Sequence, residues 1–79
     1  MRNETKYRRL RDLRVDHDFN QTQIAKVLGC TQTCYSNYEI GLRDIPTDTL
    51  IKLATFYNTS IDYLLGLTDE PSPYPRKKK

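Results

Sequence analysis

Apolar residues recur along this chain at helical spacing, in short runs broken by turn residues. Residues 5–17 carry a narrow stripe of Tyr7, Leu10, Leu13 and His17 set between arginines, which predicts a first helix. Asp18 interrupts it, and Phe19 returns the chain to the core. Asn20 then opens a second helix, because its side chain can accept from the free backbone N–H groups of a first turn. Ile24, Ala25 and Leu28 fall on one face of that helix, and Gly29 ends it where a positive φ is cheap. Thr31 caps a third helix with Tyr35 and Tyr38 pointing inward. Residues 41–44 form a turn, and Ile45-Pro46 leads into a fourth helix, since proline suits a first turn. Leu50, Leu53, Ala54 and Tyr57 give residues 47–57 the clearest amphipathic pattern. Ser60 caps a short fifth helix, 61–65, and Gly66 stops it. No stretch alternates as a strand would, and nothing repeats. The expected fold is all-α with five helices.

The outward face of the third helix is unusual. It presents Gln32, Thr33, Ser36 and Asn37, all short, uncharged and able both to donate and to accept. A polar helix face is ordinarily just solvated. Solvated faces, however, are rich in Lys and Glu, which favour helices, and this one has neither. Two helices joined by a tight turn, the second exposing such a face, meet the requirement for reading base edges in a major groove. Gln and Asn pair bidentately with adenine, and the Thr33 methyl suits a thymine methyl, so half-sites containing A·T pairs are expected.

Seventy-nine residues make one domain with a modest core. Three prolines between positions 71 and 75 exclude a helix there. The expected division is a helical domain over 1–67 and a mobile, proline-rich basic tail over 68–79. The net charge of +3 depends on that tail: without Arg76-Lys77-Lys78-Lys79, nine basic residues face ten acidic ones. Basic pI alone is therefore weak support for a polyanion partner. The distribution says more, because Arg2, Lys6, Arg8, Arg9, Arg11 and Arg14 crowd the first fourteen residues. No apolar run is long enough to span a membrane, and the N-terminus has no apolar export signal, so a cytoplasmic location is expected. Two cysteines and one histidine cannot assemble a standard zinc site. Cys30 and Cys34 are expected to pack rather than to pair, and His17 to pack or to favour a helix C-terminus. No paired-carboxylate cleft, nucleophile–base arrangement or phosphate-binding glycine loop is present. No enzyme activity, metal, cofactor or small-molecule substrate is expected.

The residues Gln21, Ala25, Leu28-Gly29, Ser36, Tyr38-Glu39 and Gly41 form one set of matching positions. Leu50, Leu53-Ala54 and Ser60-Ile61-Asp62-Tyr63-Leu64-Leu65-Gly66 form a second. Together they make the chain closely resemble the Cro/C1-type (XRE-like) helix-turn-helix family, which includes the repressors of lambdoid phages and many small bacterial regulators. The resemblance covers about residues 5–67. It implies that Gln32, Thr33 and Asn37 read bases, with Ser36 between them at a base or phosphate. It implies phosphate contacts from Gln21, which can also brace the recognition helix, and from Arg43 through side chain and backbone N–H. Arg8 and Arg9 are further phosphate candidates among the N-terminal basics. It implies a buried ion pair between Arg14 and Glu39, and a homodimer formed around the fifth helix, with Tyr63 and Leu67 as contact candidates. Two positions depart from the pattern. Asp18 stands where the turn usually has glycine, and Ile40 follows Glu39 where a polar residue is common.

The function these features imply is a sequence-specific regulator of transcription, a repressor that binds an inverted repeat in double-stranded DNA. Members of the family also act as antitoxins. A toxin-like protein partner is thus the alternative, with Ile40, Leu42, Tyr63 and Leu67 as its candidate apolar patch.

Overall fold

A computed structural model describes residues 7–74. The expectations that fall on Arg2, Lys6 and the basic residues 76–79 lie outside the described residues. Five helices are formed: α1 (Arg8–Asp16), α2 (Gln21–Leu28), α3 (Gln32–Glu39), α4 (Thr47–Phe56) and α5 (Ile61–Leu64). No strand occurs among the described residues. Nor is any helix among them long and apolar enough to cross a membrane.

The local signals work as side-chain chemistry requires. Asn20 accepts from the Gln23 N–H at 2.8 Å, and the Gln23 side chain returns the bond to the Asn20 N–H at 2.8 Å, a reciprocal cap. Thr31 and Ser60 cap α3 and α5, accepting from Cys34 and Tyr63 at 3.1 and 3.0 Å. Gly29 closes α2 with φ of 74°. Asp18 adopts the left-handed conformation that the turn demands, with φ of 60°. Pro46 takes the cap position of α4 rather than its first turn, with extended ψ of 153°.

The core is contiguous. Leu10, Ile24, Tyr35, Leu53 and Leu64 are fully buried, one from each helix. Each such side chain contributes roughly 1.5–3 kcal/mol by leaving water. Helix α2 packs on α3 and α4, α1 on α3 and α5, and α4 on α5. Cys30 and Cys34 are free thiols that pack, half-buried, against this core. His17 ends α1 with Nδ1 2.8 Å from the Leu13 carbonyl oxygen, and its ring lies against Phe19 and Tyr57.

Tyr57 carries a defect. Its hydroxyl is buried with no hydrogen-bond partner. Burial, and then the nearby Glu39 charge, push its pKa up to about 12. An unsatisfied buried hydroxyl costs free energy that phenylalanine would not. Tyr57→Phe is therefore expected to stabilise the domain by about 1 kcal/mol. Urea unfolding measures this, and a lower midpoint in the variant would show that the hydroxyl has a partner.

Residues 68–74 contain no helix, as their prolines require, but they do not leave the domain at Leu67. Arg9 donates to the Thr68 carbonyl at 3.3 Å and to Asp69 at 3.4 Å. The Thr59 hydroxyl donates to the Pro71 carbonyl at 2.6 Å, and the Tyr74 hydroxyl donates to Asp62. The mobile tail expected from residue 68 is thus held against the body as far as residue 74.

Candidate nucleic-acid interface

The orientation of α3 is set by an ion pair beneath it. Glu39, its last residue, is only 5% exposed. A bare carboxylate there would be prohibitively costly, so every lone-pair region is engaged. Arg14 of α1 donates through Nε to Oε2 at 2.6 Å and through Nη2 to Oε1 at 3.2 Å. The Tyr35 hydroxyl donates to Oε2 at 2.6 Å, and Gln21 Nε2 donates to Oε1 at 3.1 Å. Arg14 Nη1 also donates to the Phe19 carbonyl at 3.0 Å, which fixes the turn between α1 and α2. Burial alone raises the Glu39 pKa and is the largest single influence. The hydrogen bonds from Arg14, Tyr35 and Gln21 outweigh it, and the carboxyl ends below its ordinary range. Burial, and then the bond to Glu39, drive the Tyr35 hydroxyl strongly upward. The Arg14 pKa is raised, chiefly by its bond to Glu39.

From this anchor a hydrogen-bonded chain runs to the surface. Gln21 Oε1 accepts from Gln32 Nε2 at the start of α3. Gln21 thus ties α2 to both ends of α3. Gln32 and Thr33 are exposed, and Ser36 and Asn37 follow one turn on, half-buried. The Asn37 carbonyl accepts from the backbone N–H groups of Leu42 and Arg43 at 2.9 and 3.2 Å, closing the loop behind α3. The Arg43 side chain is exposed beside this face. Its backbone N–H, implied as a phosphate donor, is committed to that loop instead.

The other candidates lie elsewhere. Arg8 is exposed on α1 with Nε 4.0 Å from Asp12. Arg9 is drawn to α5: its guanidinium sits 4.0 Å above the Tyr63 ring while it bonds Thr68 and Asp69. A phosphate candidate and a dimer candidate are therefore brought together, with Arg9 engaged by its own chain. Tyr63 is half-buried under it, whereas Leu67 is 73% exposed. Ile40 and Leu42 are 56% and 70% exposed and do not fold into the core.

The Tyr35 hydroxyl is a contributor that its apolar role in the sequence conceals. Its signal was available, because Tyr35 and Glu39 are one turn apart on one face. The Arg9 contacts have no such signal, since their partners lie some 60 residues away.

Two short helices packed across each other, α2 seated on the core through Ile24, Ala25 and Leu28 and α3 displaying a polar face, define a helix-turn-helix protein. Residues 10–64 match the family model described as Helix-turn-helix. The chain belongs to the Cro/C1-type helix-turn-helix family. It is 41% identical over 70 residues to the uncharacterized HTH-type transcriptional regulator YobD of Bacillus subtilis, covering 89% of this chain and 62% of that protein. It is 44% identical over 59 residues to the HTH-type transcriptional regulator ImmR of Bacillus subtilis, covering 75% and 46%. The cryptic phage CTXphi transcriptional repressor RstR of Vibrio cholerae is 39% identical over 58 residues, covering 73% and 52%. A crystal structure of a transcriptional regulator from Listeria innocua superposes with a TM-score of 0.71 at 33% identity, covering 77% of this chain and 57% of that one. The chain spans about half the length of the curated relatives it matches.

Proposed function

We propose that this chain is a sequence-specific, double-stranded-DNA-binding regulator of transcription in the cytoplasm, acting as a repressor. The observation that carries this is the outward polar face of α3, with Gln32 and Thr33 exposed, Ser36 and Asn37 half-buried, and Gln32 tied through Gln21 to the Arg14–Glu39 pair. Helix α3 enters the major groove and those four side chains read base edges. The remaining N–H of Gln21 and the side chains of Arg43 and Arg8 meet phosphates, which set affinity and its salt dependence. Arg9, stacked on Tyr63, supports α5 rather than DNA. A second copy docks around α5 through Leu67 and the free edge of Tyr63, so that two α3 helices meet an inverted repeat about one helical turn apart. The regulator name of ImmR and the repressor name of RstR support the same reading.

Selection of bound duplexes from a random pool at about 150 mM salt tests it, because phosphate contacts alone bind weakly there. The expected result is an enriched inverted repeat in which Gln32→Ala and Asn37→Ala each relax a different position. Absence of enrichment would remove base reading and turn attention to a toxin-like protein partner at the exposed Ile40 and Leu42.

A further inference from the structure

We infer that Glu39, which lies beneath the interface, decides which base Gln32 accepts; the inference rests on the reading that Gln32 faces DNA. The argument is one of hydrogen-bond polarity. A glutamine amide has one accepting end and one donating end, whereas an ionised carboxylate only accepts. Arg14 and Tyr35 hold Glu39 ionised and fixed. Gln21 must therefore turn its NH2 toward Glu39, as its 3.1 Å bond requires, and that leaves Oε1 facing Gln32. An amide oxygen only accepts, so Gln32 must turn its own NH2 toward Gln21. The edge Gln32 then shows to the groove is an oxygen beside the remaining N–H.

That edge matches adenine, which offers the N6 donor and the N7 acceptor side by side. The reversed amide would point its oxygen at Gln21 and its NH2 outward. Two donors match guanine, whose N7 and O6 both accept. Discrimination of adenine from guanine at this position thus originates in a carboxylate that touches no DNA. Glu39 is a positioning residue for specificity, acting through Gln21.

Glu39→Gln reverses the relay. Both carboxylate oxygens accept two bonds, but those to Oε2, from Arg14 Nε and the Tyr35 hydroxyl, are the shorter at 2.6 Å, so the new amide's oxygen stays there and Arg14 Nη2 gives up its 3.2 Å bond to Oε1. Its NH2 takes the Oε1 position and donates to Gln21, which flips, and Gln32 flips after it. A merely structural role for Glu39 would weaken binding to all sequences alike and leave base preference unmoved.

The test is duplex selection with four proteins: wild type, Gln32→Ala, Glu39→Gln and Gln21→Met. Gln32→Ala identifies the base pair that Gln32 reads. At that pair, Glu39→Gln is expected to cut the adenine-to-guanine preference by at least about fivefold and to move it toward guanine. Gln21→Met, which leaves the ion pair intact, is expected to lose the preference without gaining guanine, and it carries the test if Glu39→Gln does not fold. Wild-type adenine preference retained in a folded Glu39→Gln, or retained in Gln21→Met, overturns the relay while leaving base reading in place. Failure of wild type to enrich any duplex, or of Gln32→Ala to relax any position, overturns the reading beneath it and the inference as well.

Discussion

Glu39→Ala is expected to destabilise the protein by about 3–5 kcal/mol, because removing one member of a buried pair strands the other. Arg14 would keep only its bond to the Phe19 carbonyl. The Tyr35 hydroxyl and Gln21 Nε2 would lose their shared acceptor at the same moment. Three donor side chains, one of them charged, are then left around the site of an anion. The loss is large against a total stability of about 5–15 kcal/mol for a domain. For a chain of this size it corresponds to a fall in Tm of at least about 12 °C. A thermal melt at neutral pH measures it, and an unchanged Tm would mean that the pair adds nothing net.

Tyr35→Phe should cost about 1.5–3 kcal/mol at pH 7, the worth of a hydrogen bond to a charged group. Its pH dependence is more telling than its size. The folded pKa of Glu39 lies below the ordinary value. Its ionisation therefore contributes stability that is present above the unfolded pKa of about 4.3 and is lost as pH falls through the folded value. Losing the Tyr35 donor moves that folded value up, so the acid limb of the variant should begin at higher pH. The opposite sign holds for Tyr35 itself. Its folded pKa is raised, by burial first and the Glu39 bond second, so its contribution is complete below about pH 10 and is lost as pH rises toward the folded value. Phenylalanine has no proton to lose. The gap between variant and wild type should accordingly narrow above about pH 10. Urea midpoints taken across the pH range would show both limbs, and a constant gap would rule out the Tyr35–Glu39 bond.

Much of the architecture was legible because its determinants are local. Asn20 with Gln23, Thr31 with Cys34 and Ser60 with Tyr63 are caps written within three residues of sequence. The inward face of α4 follows from spacing alone. The polar face of α3 was visible too, because its composition departs from an ordinary solvated surface. What stayed hidden was decided by contacts between distant parts. Leu53, Tyr57 and their neighbours announce a core, but not that the Tyr57 hydroxyl ends in it without an acceptor. Arg9 reads as one more surface cation, and only the folded chain sets it over Tyr63. The stretch from Thr68 to Tyr74 looks like a free tail by composition, yet three side chains from the body and two of its own hold it in place.

That last arrangement gives the domain a seam. Arg9 and Asp69 are 60 residues apart in sequence and join the start of the helical body to its end. The bonds along the seam are few, and the Asp69 side chain is fully exposed. Contacts of this kind close last during folding, after the local helices and their core, and they open first. Opening the seam is a sub-global event that leaves the buried leucines packed. It would free Asp62 and uncover Tyr63, widening the surface proposed above for self-association. Amide exchange along residues 67–74 reports that motion separately from global unfolding.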